Sequence, residues 1–103
     1  MEGARDFVDW CLSIDQIDLY IATKTPRSNS YAASEKVRWV GQHFNELVNK
    51  VFITPDKTLL RSDFLIDDDA KWKGFCGHFL NFNPREPVES WEFAKSEIIK
   101  KLN

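Results

Sequence analysis

Three polar segments of the sequence could together hold a phosphate group and a magnesium ion. Each follows a short apolar stretch typical of a β-strand, and the segments are Thr23–Arg27, Thr54–Lys57 and Asp67–Asp69. In open α/β sheets, ligands bind beyond the carboxyl ends of the strands, so these segments are expected at one edge of the sheet. Oxygen ligands suit Mg²⁺, and a lysine ammonium neutralises phosphate charge. The three segments therefore predict a site for phosphate and Mg²⁺.

Each segment also has a simpler interpretation. Three consecutive aspartates, Asp67–Asp69, commonly form a solvated turn in which the side chains accept hydrogen bonds from nearby backbone amides. Lys57 stands in a polar stretch where a surface lysine is expected, and Thr23 and Thr25 are residue types found in turns. From the residues alone, the turn and the ligand interpretations both stay open.

Apolar residues with helical spacing predict three helices. The first covers about residues 3–13 and the second about 34–49, because apolar side chains recur there every three or four positions. Ser90 is predicted to cap the third helix, which follows a proline-containing loop. The predicted apolar face of that helix has four side chains: Trp91, Ala94, Ile98 and Leu102.

Short apolar runs predict four strands, at Ile17–Ala22, Val51–Ile53, Phe64–Ile66 and near Gly77–Phe82. Their nearly continuous apolar character is typical of buried parallel strands that helices cover on both faces. Strands alternating with helices predict an α/β fold. The length of the chain predicts one domain with a single core over residues 1–103.

Charge and composition exclude several classes of function. The 14 basic and 16 acidic residues give a net charge of −2 without a block of like charge, so DNA binding is not expected. Nothing in the sequence resembles a membrane span or a signal peptide, which predicts a cytoplasmic protein. Cys11 and Cys76 are predicted to be reduced packing residues, and the spacing of His43 and His78 does not favour a zinc site.

Trp72 stands between Lys71 and Lys73 in a stretch with little periodicity. Its large ring is expected to cover the edge of the core. The alternative is an exposed ring that stacks on a base or on a partner surface.

Six segments of the sequence resemble the haloacid dehalogenase-like phosphatases, and within them the 5'(3')-deoxyribonucleotidase branch. IATKTP is similar to the second motif of that family, ITPDKT to the third and DFLIDDD to the fourth. GARDFVDWCLS, SEKVRWVGQHF and EPVESWEF look like the helix before the second motif, the helix after it and the tryptophan-bearing segment before the last helix. The resemblance implies a Rossmann-like, mostly parallel sheet with helices on both faces.

The same resemblance implies roles for individual residues. The second and third motifs place Thr23, Lys24 and Lys57 at the phosphate, and the fourth makes Asp67 a metal ligand with Asp68 beside it. The implied metal is Mg²⁺, and the implied ligand is a nucleotide or phosphate. The ten-residue step from Lys57 to Asp67 also fits the family. The implied activity is that of a 5'-nucleotidase, a phosphoric monoester hydrolase.

The first motif of the family is not found in the sequence. That motif is a strand ending in two aspartates one residue apart: the nucleophile that forms an aspartyl-phosphate and the acid that protonates the leaving group. Only Asp67 and Asp69 have this spacing, and Ala70 and Lys71 differ from the glycine or threonine expected after them. The cap that would select the nucleoside is also missing. The chain is therefore expected to be a truncated C-terminal half of a nucleotidase, inactive by itself, because deleting a covalent nucleophile can cost on the order of 10⁶ in rate.

Two other functions stay open. One is a Mg²⁺-dependent nucleoside monophosphate phosphatase that uses Asp67 or Asp69 as a substitute nucleophile. The other is a non-enzymatic module that binds nucleotide or phosphate at the surviving loops.

The missing first strand also affects the expected assembly. In the family's sheet that strand lies between the strands that end at Thr23 and Asp67, so its absence predicts a gap of about 9.6 Å and two rows of unpaired backbone groups. A homo-oligomer such as a dimer, or a partner protein that completes the sheet, is expected to fill this gap. Direct pairing of the two strands, with a shifted site, is the alternative.

Overall fold

The computed structural model describes residues 3–23 and 32–103, which divide into two compact units. The first unit contains residues 3–17 and 58–103, and the second contains residues 18–57. The strands form two parallel pairs, one pair in each unit. The α/β class and the parallel strands are thus as predicted, whereas the single domain and the gap in a larger sheet stay predictions.

The second unit is a strand–helix–strand arrangement. Strand β1 (Ile21–Thr23) and strand β2 (Val51–Ile53) are joined through helix α2 (Ala32–His43), in keeping with the long crossover that parallel strands require. Ile21 pairs with Val51 and Thr23 with Ile53, so the two strands end side by side. The predicted strand from Ile17 is therefore shorter than expected and ends one residue later, at Thr23.

Helix α2 ends earlier than its apolar periodicity predicts. Phe44 leaves the helical conformation, with φ −139° and ψ 67°, and a 3₁₀-helix (Asn45–Leu47) follows. The ring Nδ1 of His43 donates to the Trp39 carbonyl at 2.9 Å, one turn earlier in the helix. Leu47 is nonetheless completely buried, because the 3₁₀ turn directs its side chain into the core. This burial accounts for the apolar spacing that continues past the end of the α-helix.

Strand β2 is not buried, which corrects the prediction. Phe52 is 48% exposed and Ile53 is 37% exposed. The ring of Phe52 packs against Tyr20, itself exposed, with 5.2 Å between ring centroids. Within this unit α2 is the only α-helix among the described residues, and one helix covers one face of a sheet. An apolar strand therefore need not be covered on both faces.

The first unit contains the remaining strands and two packed helices. Strand β3 (Phe64–Asp67) pairs in parallel with strand β4 (His78–Asn81), and a 3₁₀-helix spans Ala70–Gly74. Another 3₁₀-helix, Lys57–Leu59, begins at the last residue of the second unit. Helix α1 (Ala4–Leu12) lies against helix α3 (Pro87–Leu102), where the Phe7 ring stacks on Trp91 at 4.6 Å. The predicted helix over 3–13 and the predicted strands over 64–66 and 77–82 are confirmed within one or two residues.

A cluster of buried side chains stabilises the β3–β4 pair. Leu65, Trp72 and Phe75 form this cluster, and Leu60 and Phe79 pack against it. Trp72 is only 6% exposed, so the prediction that it covers the core is confirmed and the stacking alternative is wrong. The Lys71 ammonium lies 4.8 Å from the centroid of the Trp72 ring, a cation–π contact at the edge of the core.

Helix α3 differs from its prediction at both ends. It begins at Pro87, because proline has a backbone angle suited to the first turn, and Ser90 therefore lies inside the helix and does not cap it. The Ser90 hydroxyl instead accepts the Asn83 amide at 2.9 Å and donates to the Asn83 carbonyl at 3.2 Å. Ala94 and Ile98 are buried as predicted, but Trp91 is half-buried and Leu102 is exposed in the last turn.

The two glycines Gly77 and Gly41 predict opposite effects of the same substitution. A Cβ at Gly77 would lie 2.5 Å from the Ser62 carbonyl oxygen and 2.6 Å from that of Asp63, and backbone cannot move aside cheaply. Gly77→Ala is therefore expected to lower the free energy of unfolding by about 2 kcal/mol or more. Gly41→Ala, inside α2 with its nearest neighbour at 3.6 Å, is expected to raise it by about 0.5–1 kcal/mol. Urea unfolding of both variants checks this, and a neutral Gly77→Ala would contradict the packing at β4.

Both cysteines are free thiols, as predicted, but only one is a packing residue. Cys11 is buried in α1, whereas Cys76 is exposed, with its Sγ 3.5 Å from the Leu60 carbonyl. Burial raises the pKa of the Cys11 thiol to about 11, and the nearby Lys95 opposes this shift.

The raised pKa of Cys11 predicts a loss of stability at alkaline pH. Above about pH 9 the thiol ionises in the unfolded chain but stays protonated in the folded one, so the free energy of unfolding falls as the pH rises toward 11. Urea unfolding between pH 8 and 11 should show a shallower fall for Cys11→Ala than for the natural chain, while Cys76→Ala keeps the natural slope. Equal slopes for all three chains would contradict the prediction.

No helix within residues 3–23 and 32–103 has the length and apolar character needed to cross a lipid bilayer.

Candidate functional site

The end of β1 brings Thr23 next to the loop that follows β2. Thr23 is half-buried, and its carbonyl oxygen accepts a hydrogen bond from the Thr54 amide at 2.9 Å. This bond continues the parallel ladder one residue beyond β2, so Thr23 and Thr54 stand at adjacent strand ends. The prediction that these segments stand at the ends of parallel strands is confirmed, and the structure shows in addition that β1 and β2 are neighbours. Carboxyl ends of parallel strands are where ligands bind in such sheets.

Lys57 lies at the end of a short turn closed by a hydroxyl group. The Thr54 hydroxyl accepts the Asp56 amide at 3.2 Å and donates to the Asp56 carbonyl at 3.1 Å. Lys57 is the next residue, where a 3₁₀-helix begins, and its side chain is half-buried. Sequence reasoning selected the segment Thr54–Lys57 but not the role of this hydroxyl. The signal was present, since Ser and Thr hydroxyls often bond the backbone two residues on.

A groove of about 480 Å³ adjoins Thr23 within the second unit. β1 forms one side of it, and Glu35, Lys36 and Trp39 of α2 form the other. Trp39 is 51% exposed and stacks on His43 with 4.2 Å between ring centroids. The strand end that carries Thr23 therefore opens onto apolar surface with one cation and one carboxylate beside it.

Lys24, which the family resemblance placed at the phosphate, lies outside the described residues. The same holds for Thr25 and for the predicted polar loop up to Ser30.

The aspartates after β3 form a hydrogen-bonded turn in the first unit. The Asp69 amide donates to Asp67 Oδ1 at 2.9 Å, and the Lys71 amide donates to Asp69 Oδ1 at 3.0 Å. The other oxygen of Asp69 lies 3.2 Å from the Lys71 ammonium. Asp69 thus caps the 3₁₀-helix over Ala70–Gly74, which confirms the turn interpretation of the acidic run. Asp67 is half-buried at the strand end and Asp68 is exposed.

The acidic turn fits Mg²⁺ in part. Among residues 3–23 and 32–103, no three His, Cys, Asp or Glu side chains come together as a metal cage. Mg²⁺ commonly keeps several waters and takes only one or two carboxylates together with substrate phosphate oxygens. Asp67 and Asp68, at the end of a parallel strand, have the chemistry of such a partial ligand set. Asp69 is already used by the helix cap and by Lys71.

Comparison with known proteins identifies related sequences. The family model for 5' nucleotidase, deoxy (pyrimidine), cytosolic type C protein matches residues 1–96. The chain is 30% identical over 93 residues to the mitochondrial 5'(3')-deoxyribonucleotidase of Mus musculus, which covers 89% of this chain and 38% of the mouse protein. It is 31% identical over 91 residues to the cytosolic-type 5'(3')-deoxyribonucleotidase of Homo sapiens, covering 87% and 40%. The chain thus spans about two fifths of the length of these relatives.

Proposed function

The chain belongs to the cytosolic type C family of deoxy (pyrimidine) 5' nucleotidases, and on this basis we propose that its 103 residues hold a nucleotide phosphate and Mg²⁺ without hydrolysing the ester by themselves. One observation carries the proposal: Thr23 ends β1 and Lys57 follows β2 after a short turn, and these two strands pair in parallel and end together. No aspartate pair with the sequence of the first motif occurs among the 103 residues.

The phosphate would be held by Thr23, Lys24 and Lys57. The Thr23 hydroxyl donates to a phosphate oxygen, and the ammonium groups of the two lysines neutralise the phosphate charge. Lys57 supplies this charge from a half-buried position, where solvent screens a charge less than at an exposed surface. The second unit thus contains the proposed phosphate-binding residues.

Asp67 and Asp68 would hold the metal. A bound Mg²⁺ would supply positive charge at this end of β3. The Asp69 amide donates to Asp67 Oδ1 at 2.9 Å, which orients this carboxylate at the end of β3. Asp68 is exposed beside it.

The residues that react with phosphate would come from another polypeptide segment. Among the described residues, β1 has one strand neighbour and β3 has one, so each strand pair presents a further edge to an added strand. A second copy of the chain or a partner protein could supply that strand through main-chain hydrogen bonds. Light scattering at protein concentrations of about 1–100 μM should show an oligomer of the isolated chain. A folded monomer at every concentration would exclude self-association, and a partner protein would then be the remaining source of the added strand.

Titration calorimetry tests the proposed binding. Deoxyuridine monophosphate added with Mg²⁺ is expected to give saturable heat with no phosphate release, and weaker binding when Mg²⁺ is replaced by EDTA. Thr23→Val, which keeps the shape of the side chain and removes its hydroxyl, should weaken the binding about fivefold, the value of one hydrogen bond. Absence of saturable heat in the natural chain would overturn the proposal.

A further inference from the structure

Thr54 makes hydrogen bonds to both sides of the proposed phosphate site. Its amide donates to the Thr23 carbonyl at 2.9 Å, and its hydroxyl bonds both the amide and the carbonyl of Asp56. Asp56 directly precedes Lys57. Thr54 therefore connects the end of β1 to Asp56, the residue directly before the 3₁₀-helix that begins at Lys57.

The hydroxyl of Thr54 closes the turn from Thr54 to Asp56 by a side-chain hydrogen bond. Pro55 follows it and has no N–H, so this residue cannot donate a hydrogen bond that would close the turn. The bonds between the Thr54 hydroxyl and Asp56 are partly buried, and bonds shielded from water are less readily exchanged for solvent. Without the hydroxyl, the Asp56 amide and carbonyl lose these two hydrogen bonds, and the turn that leads into Lys57 is less restrained.

We infer that Thr54 is a positioning residue that holds Lys57 at a set distance from Thr23, so that the ammonium and the hydroxyl meet one phosphate group. This role rests on the proposed function. Thr54 itself does not touch the phosphate; its amide fixes the strand end and its hydroxyl fixes the turn. The position of a charged group can decide its contribution, since a misplacement of about 1 Å can cost up to about 100-fold in a catalytic site.

Two variants separate the hydroxyl from the rest of the side chain. Thr54→Val keeps the size and the backbone amide but removes the hydroxyl, whereas Thr54→Ser keeps the hydroxyl. Ser96→Ala is the matched control, because it removes another local hydroxyl bond, 2.7 Å from Ser96 Oγ to the Phe93 carbonyl, within α3. Each chain is measured twice: by amide hydrogen exchange at Asp56 without ligand, and by calorimetric titration with deoxyuridine monophosphate and Mg²⁺.

Thr54→Val is expected to speed exchange of the Asp56 amide about fivefold, equivalent to one lost hydrogen bond, and to weaken nucleotide binding about tenfold. Thr54→Ser and Ser96→Ala should stay close to the natural chain in both measurements. The inference is overturned if Thr54→Val exchanges faster yet binds normally, or if Thr54→Ser is as weak as Thr54→Val. Failure of the natural chain to bind would instead overturn the proposed function, and the positioning role with it.

Discussion

The isolated chain is expected to release phosphate from deoxyuridine monophosphate about 10⁶-fold more slowly than the human cytosolic-type 5'(3')-deoxyribonucleotidase. The reason is chemical: covalent phosphoryl transfer needs a carboxylate that attacks phosphorus and an acid that protonates the leaving group. The 103 residues contain one aspartate pair with the required spacing, Asp67 and Asp69, and its flanking residues differ from the family's first motif.

The hydrogen bonds of this aspartate pair also argue against a substitute nucleophile. Asp67 accepts the Asp69 amide, and Asp69 accepts the Lys71 amide while its other oxygen pairs with the Lys71 ammonium. Hydrogen bonds and a cation stabilise a carboxylate and make its attack on phosphorus less favourable. Asp69 would also have to leave its position as the cap of a 3₁₀-helix.

Phosphate release with Mg²⁺ measures this prediction directly. Asp69→Asn is the control, and it should leave the slow release of phosphate unchanged. Release within about 100-fold of the human protein, abolished by Asp67→Asn or by Asp69→Asn, would show that one of these carboxylates acts as the nucleophile. That result would make the chain an active phosphatase.

Trp72→Ala is expected to lower the free energy of unfolding by about 3–5 kcal/mol. Trp72 is 6% exposed and packs with Leu65 and Phe75 beneath the β3–β4 pair. Removal of the indole leaves a cavity and also ends the contact with the Lys71 ammonium. Domains of this size are stable by about 5–15 kcal/mol, so this loss would remove a large share of the stability.

Trp39→Ala is the matched control for Trp72→Ala. Trp39 is exposed on α2, and its main ring contact is with His43, so its removal should cost about 1 kcal/mol or less. Urea unfolding followed by circular dichroism measures both variants. Equal losses for the two tryptophans would contradict the assignment of Trp72 to the core.

The sequence predicted the elements whose side chains repeat with a clear period. Helix α1, most of α2, strand β3 and strand β4 lie within a few residues of their predicted positions, because burial of one face leaves a regular apolar pattern. The end of α2 was missed because a 3₁₀ turn keeps Leu47 buried and so extends the same pattern. Ser90 was misassigned because two residue types favour helix starts, and Pro87 comes first in the chain.

Burial of strands was predicted less well than their existence. The run Val51–Ile53 is apolar at every position, yet two of its three side chains are exposed. The apolar composition of a strand does not show which element covers it or how much of it is covered. Strand pairing and exposure depend on elements far along the chain, which a local pattern cannot show.

The sequence selected the candidate site residues by their positions after predicted strands, but it did not predict their hydrogen bonds. Thr23, Lys57 and Asp67 were selected because they follow strands, and the structure places each of them directly at or after a strand end or turn. The hydrogen bonds of Thr54 and of the acidic run depend on backbone conformation in three-residue turns. Such turns are compatible with many sequences, so the residue types alone could not distinguish ligand from turn.

A titration that compares two lysines of the second unit tests the central claim most directly. Lys57→Gln removes the proposed phosphate contact, while Lys50→Gln removes a cation that is hydrogen-bonded to Asp18 at 2.7 Å, a bond that raises the pKa of Lys50. With Mg²⁺ and deoxyuridine monophosphate, Lys57→Gln should bind at least about tenfold more weakly than the natural chain, and Lys50→Gln should bind as the natural chain does. Equal affinity of all three chains would contradict a phosphate-holding role for Lys57.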